Sequence, residues 1–147
     1  MKRIVGAALL ILCSSVAALA GSPLLSQLQP GERLHVAYHS RGCFHDRKYD
    51  IDFERGTSSV TARSAGYAVP LSVGEIAGLD HLIAFYSSRP RGGCTTQDDI
   101  TITRFHDGRK ISSEHYVDGS CATYQMKDIT TFYQVAKKLG LEHETKT

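Results

Sequence analysis

Tyr49-Asp50-Ile51-Asp52-Phe53-Glu54-Arg55-Gly56 alternates apolar and acidic residues with a period of two. That is the pattern of a strand with one face packed and the other in water. Upstream, Leu34, Val36 and Tyr38 alternate with His35, Ala37 and His39, a second strand of the same kind. Arg55-Gly56 reads as a tight turn. A hairpin centred there sets Ile51 opposite Val60 and Tyr49 opposite Ala62, so the apolar sides match.

Downstream the period changes from two to that of a helix. Ser72 and Glu75 form a capping box, Leu71 and Ile76 stand where a hydrophobic staple needs them, and Ile76, Leu79, Leu82, Ile83 and Tyr86 make one apolar stripe. Ser87 to Pro90 ends that helix. Ile100 and Ile102 then alternate with Thr101 and Thr103, Asp107-Gly108 marks a two-residue turn, and Ile111 to Val117 returns. A last helix is predicted from an Asp128 N-cap through Ile129, Phe132, Val135, Ala136 and Leu139, closed by Gly140-Leu141.

The two halves echo each other. Gly42-Cys43 precedes Tyr49-to-Asp52 by the spacing at which Gly93-Cys94 precedes Ile100-to-Thr103. The expected fold is α+β, an antiparallel sheet of four to six strands with two helices packed on one face and a ββα-ββα internal repeat. The expected organisation is a cleaved signal peptide at 1–20, an N-terminal leader at 21–32, one domain at 33–141 and a loose tail at 142–147.

Export rests on Lys2 and Arg3, the apolar run from Ile4 to Val16, and Ala18-Leu19-Ala20 before Gly21. Without Lys2 and Arg3 the chain has fifteen basic and fifteen acidic residues. That balance argues against nucleic acid or an anionic membrane as partner, since both select excess positive charge. All seven histidines follow the leader, so mild acid makes the protein cationic. The sequence contains neither a Gly-x-Ser-x-Gly elbow nor a phosphate-cradling or dinucleotide-binding loop.

Cys43, Cys94 and Cys121 remain after export into an oxidising setting. Counting outward from Asp107-Gly108 puts Cys94 opposite Cys121 at the open end of the second hairpin, the expected disulfide. Cys43 is left over within His39-Ser40-Arg41-Gly42-Cys43-Phe44-His45. Three readings follow. It is a buried free thiol or a bridge partner, or a zinc or copper ligand with His39, His45 and a fourth group such as His115, or a nucleophile activated by a neighbouring histidine.

The other constellations have plainer readings. Asp46, Asp50, Asp52 and Glu54 lie on the outer face of one strand and are expected to be solvated, lacking the glycine of a calcium loop. Asp98-Asp99 marks the start of a strand. His115 is expected on the core side with Ile100, Ile111 and Val117, held there by a hydrogen bond. Arg41, Phe44, Arg89 and Arg91 occupy loops that the repeat would place equivalently, and loops on a rigid sheet carry binding residues.

The layout of Cys43-Phe44, the alternating strand, the capped helix and the Asp99-to-Gly108 hairpin resembles a family of small secreted domains of unknown function. The resemblance spans about residues 33–140 and implies the strand-strand-helix arrangement without lending any activity. The function expected from the residues is a small exported protein that binds another protein, an inhibitor or immunity-type protein needing no cofactor. The metal or thiol reading centred on Cys43 is the alternative.

Overall fold

The computed structural model describes residues 24–141, apart from the side chains of Tyr124 and Gln125. The expected signal peptide and the 142–147 tail lie outside the described residues. A single 3-10 turn at Leu25–Gln27 leads into β1 (Glu32–Gly42), β2 (His45–Arg55), β3 (Val60–Ser64), β4 (Tyr67–Pro70) and α1 (Val73–Ser87). Then come β5 (Gln97–His106), β6 (Arg109–Asp118), a second 3-10 turn (Ala122–Gln125) and α2 (Lys127–Lys138). The strands form one sheet in the order β4-β3-β2-β1-β5-β6, with every neighbour antiparallel.

The alternation predicted for β1 and β2 holds residue by residue. Leu34, Val36 and Tyr38 are buried and pair with buried Phe53, Ile51 and Tyr49. Their face packs against Leu79, Leu82, Ile83 and Tyr86 of α1 and Ile129, Phe132, Val135 and Ala136 of α2, in one continuous core. The opposite face carries His35, His39, Asp50 and Asp52 and stays partly or fully exposed. The two hairpin-helix units flank β1, which separates β2 from β5.

Several details differ from the sequence reading. The turn after β2 is a four-residue loop in which the Gly56 amide donates to the Ser59 carbonyl at 2.9 Å. Arg55 therefore pairs with Val60, and Phe53 rather than Tyr49 with Ala62. A shift by an even number of residues keeps every apolar side chain on the same face, so period alone does not distinguish the two registers.

β4 was not foreseen. Its turn uses Ala65 and Gly66 at φ 48° and 87°, and an alanine in the left-handed region hides the usual sequence signal.

The β5–β6 ladder slips by one residue between Arg104 and Phe105, a bulge that reverses the faces of the strand beyond it. Tyr116 rather than His115 is buried there, and His115, Ile111 and Val117 are exposed.

The predicted leader contributes Leu25 and Leu28 to the core. Asp80 of α1 fixes it by accepting from the Leu25 amide at 2.6 Å and the Ser26 amide at 3.1 Å.

Both helix ends follow simple chemistry. The Glu75 amide donates to the Ser72 hydroxyl at 3.2 Å and the Ser72 amide donates to the Glu75 carboxylate at 2.8 Å, a complete capping box. At the end of α2 the Gly140 amide reaches the Lys137 carbonyl and the Leu141 amide the Ala136 carbonyl, each at 3.0 Å, which is the Schellman pattern. Asp128 does not cap α2; Met126 holds that position, and Asp128 sits in the first turn, where its charge suits the helix dipole.

Glu75 also ties the helices together, because Lys138 Nζ donates to it at 2.6 Å. That contact, together with the Ser72 donors, holds the Glu75 carboxyl below the usual glutamate range despite the opposing effect of burial. A lowered folded-state value stabilises above about pH 4.3, the unfolded glutamate value, and the contribution is lost as pH falls through the folded value. Glu75→Gln is expected to lower the thermal unfolding midpoint at neutral pH and to lose less on acidification than the wild type does. Parallel acid-induced losses in the two proteins would contradict this.

Candidate functional site

β2 and β5 both run antiparallel to β1, so their first residues lie at the same end of the sheet. Arg41 marks that end, pairing with Asp46 on β2 and Gln97 on β5. β6 finishes there too, where Asp118 faces Asp98. The β1–β2 turn, the 88–96 loop and the 119–126 segment therefore share one rim, and the rim holds all four residues singled out as binding candidates.

Arg41 is half exposed and lies 4.0 Å from Asp99. Phe44, in the two-residue turn after β1, is 93% exposed. Arg89 and Arg91 are exposed in the 88–96 loop, and Arg89 adopts a left-handed φ of 54°. A non-glycine residue in that region costs free energy and persists only where its surroundings enforce it.

Here the end of α1 enforces it: Arg89 follows the Ser88 C-cap and its amide donates to the Tyr86 carbonyl at 2.9 Å, the position at which helices commonly turn left-handed. Cys94 and Cys121 are bridged with their Cα atoms 5.7 Å apart, the pairing expected from the hairpin. The Cys94 amide donates to the Gly119 carbonyl at 2.8 Å. Gly92 lies so near the next segment that a Cβ would come within 2.4 Å of the Ser120 Cα, which only glycine permits. The arginine-bearing loop is thus fastened to 119–121 at several points.

A buried polar network supports the rim from below. Asp98 is almost fully buried, and its Oδ2 accepts from the Tyr86 hydroxyl and the Thr123 hydroxyl, each at 2.9 Å. The Ser120 amide donates to Asp118 Oδ1 at 2.7 Å. Tyr38 and Tyr133 share a hydroxyl contact at 3.3 Å. Burial pushes the Tyr86 and Tyr38 hydroxyls far above the ordinary tyrosine value, with the Asp98 charge adding to the effect, so both remain protonated at physiological pH. Asp98 was expected only as the start of a strand. Counting back by twos from Ile102 and Ile100 would have put it on the packed side, but nothing local points to Tyr86 or Thr123.

The structure does not bring the alternative metal set together. His39 is on the open face with Nε2 2.5 Å from Asp46 Oδ1, a contact that lowers the Asp46 carboxyl. His45 has the opposite register parity, with Nε2 2.9 Å from the hydroxyl of buried Ser40. His115 is on the open face, 2.6 Å from Asp99. Cys43 is free, but exposed in the turn rather than buried. Among the described residues no three His, Cys, Asp or Glu side chains are grouped to hold a metal ion.

Comparison with family models, with curated proteins and with solved structures returns no match to this chain. Among the described residues no helix is long and apolar enough to cross a membrane.

Proposed function

We propose that this chain is a small exported protein of the inhibitor or immunity type, which binds another protein through the loop-bearing end of its sheet. The observation that supports this reading is the convergence of Arg41, Phe44, Arg89 and Arg91 on one rim closed by the Cys94–Cys121 bridge. An exposed aromatic among arginines is the composition of an interface anchor. Loops held fixed before contact lose little conformational freedom on binding. The disulfide also suits an exported chain.

The test starts with affinity capture from the envelope fraction of the producing cell, followed by calorimetric titration of the purified partner. Phe44→Ala is expected to weaken binding by about 30-fold, the equivalent of a hot spot of about 2 kcal/mol. Arg89→Glu with Arg91→Glu is expected to weaken it further and to steepen the decline with salt. Unchanged affinity in the combined variant would remove the rim as the binding face.

The thiol-active alternative retains one observation, the exposed free thiol of Cys43. Cys43→Ser leaves a protein binder competent and abolishes a thiol-dependent activity.

A further inference from the structure

Asp98 and Asp118 face each other across the β5–β6 ladder at the rim end of the sheet. Each is 2% exposed, and they share the packed side with Ile100 and Tyr116. Side chains directly opposite in an antiparallel pair have Cβ atoms about 4.5–5.5 Å apart. One oxygen of each carboxylate is satisfied, Asp98 Oδ2 by the Tyr86 and Thr123 hydroxyls and Asp118 Oδ1 by the Ser120 amide. The other two, Asp98 Oδ1 and Asp118 Oδ2, are buried without a hydrogen-bond partner. Among the described residues no ion pair reaches either carboxylate. Two like charges set opposite each other and out of water are costly unless a positive charge joins them.

We propose that Asp98 and Asp118 bind a calcium ion through these two orphaned oxygens. Donors that are all oxygen select a hard cation over zinc or copper. Calcium also accepts flexible coordination that includes backbone carbonyls, whereas magnesium demands a near-ideal octahedron and keeps its waters. Gly119, Ser120 and Cys121 follow Asp118 directly and are half-buried, so this turn offers both carbonyl ligands and a way in from solvent. Two carboxylates make a weak site, with a dissociation constant of about 10⁻⁴–10⁻³ M, the range of extracellular calcium modules. The ion ties the start of β5 to the end of β6, and Thr123 extends that tie to the second 3-10 turn through its bond to Asp98. The site does not depend on the rim above it binding a partner.

Calorimetric titration of the oxidised, metal-stripped protein with calcium chloride tests the proposal. The expected result is one site, with the thermal unfolding midpoint raised by about 5 °C at ten times the dissociation constant. Asp118→Asn keeps an acceptor for the Ser120 amide and places a donor beside Asp98. It should therefore hold its fold, checked by circular dichroism, and lose calcium affinity at least tenfold. Asp46→Asn with Asp50→Asn, on the open face, should leave the affinity unchanged. Terbium provides a readout that needs no variant: seated beside Asp98, to which the Tyr86 hydroxyl is bonded, it should luminesce on tyrosine excitation and be displaced by calcium. The absence of calcium uptake, which a proton shared by the two carboxyls or a buried water would produce, overturns the proposal. So does uptake indifferent to Asp118→Asn, uptake lost in the open-face variant, or terbium without tyrosine-sensitised emission.

Discussion

Replacing Cys94 and Cys121 with serine is expected to lower the stability of the folded chain by about 3–4 kcal/mol. The bridge spans 27 residues of sequence, and closing a loop of that size removes conformational freedom from the unfolded chain. Urea unfolding of the oxidised protein and of the double variant measures the difference directly. The variant should also have the larger denaturant slope, because its unfolded state expands further. A loss under about 1 kcal/mol would mean that the bridge constrains little of the unfolded ensemble. The same variant frees the 88–96 loop from the 119–121 segment, so partner affinity should fall although no arginine has been changed.

Phe132→Ala is expected to cost about 3–5 kcal/mol. Phe132 is 2% exposed and its ring lies 5.0 Å from that of Tyr38 and 5.6 Å from that of Tyr49. One side chain of α2 thus meets both β1 and β2, and its truncation leaves a cavity walled by rigid aromatic rings that cannot collapse to fill it. Phe132→Leu keeps much of the volume and should cost clearly less, under about 1.5 kcal/mol if the site repacks. Thermal and urea unfolding of both variants check the ranking. Equal losses would show that ring shape rather than volume sets the cost.

Much of the fold was legible because it depends on short-range patterns. β1 and β2 alternate without interruption, and Ser72 with Glu75 announces α1 within four residues. Asp107-Gly108 fixes one turn, with both residues in the left-handed region. What escaped depends on parity or on distant partners. Ile51 opposite Val60 and Arg55 opposite Val60 satisfy the same apolar pattern, so the loop length had to come from the structure. One extra residue near Ile111 moved His115 from the expected packed face to the open one and brought Tyr116 inward.

The rim was partly legible for the same reason. Equivalent spacing in the two halves places Arg41 and Phe44 at the same sheet end as Arg89 and Arg91. The supporting contacts of Asp98 were not legible, since Tyr86 comes from a helix and Thr123 from a segment without periodicity. His39 and His45 show the opposite failure. They are neighbours in sequence, yet the turn between them leaves one on each face of the sheet.

The strand order also has a consequence for how the chain assembles. β1 pairs with β2 through a two-residue turn, but its pairing with β5 must wait until β5 is available, with β2, β3, β4 and α1 between them in sequence. Within the sheet, the β1–β5 seam is the sole junction of the two halves, and closing so long a loop is what slows folding. Cys94 and Cys121 flank β5 and β6 and lie wholly on one side of that seam. Oxidation of the pair therefore needs only the second hairpin, and the bridge can be in place before the halves dock.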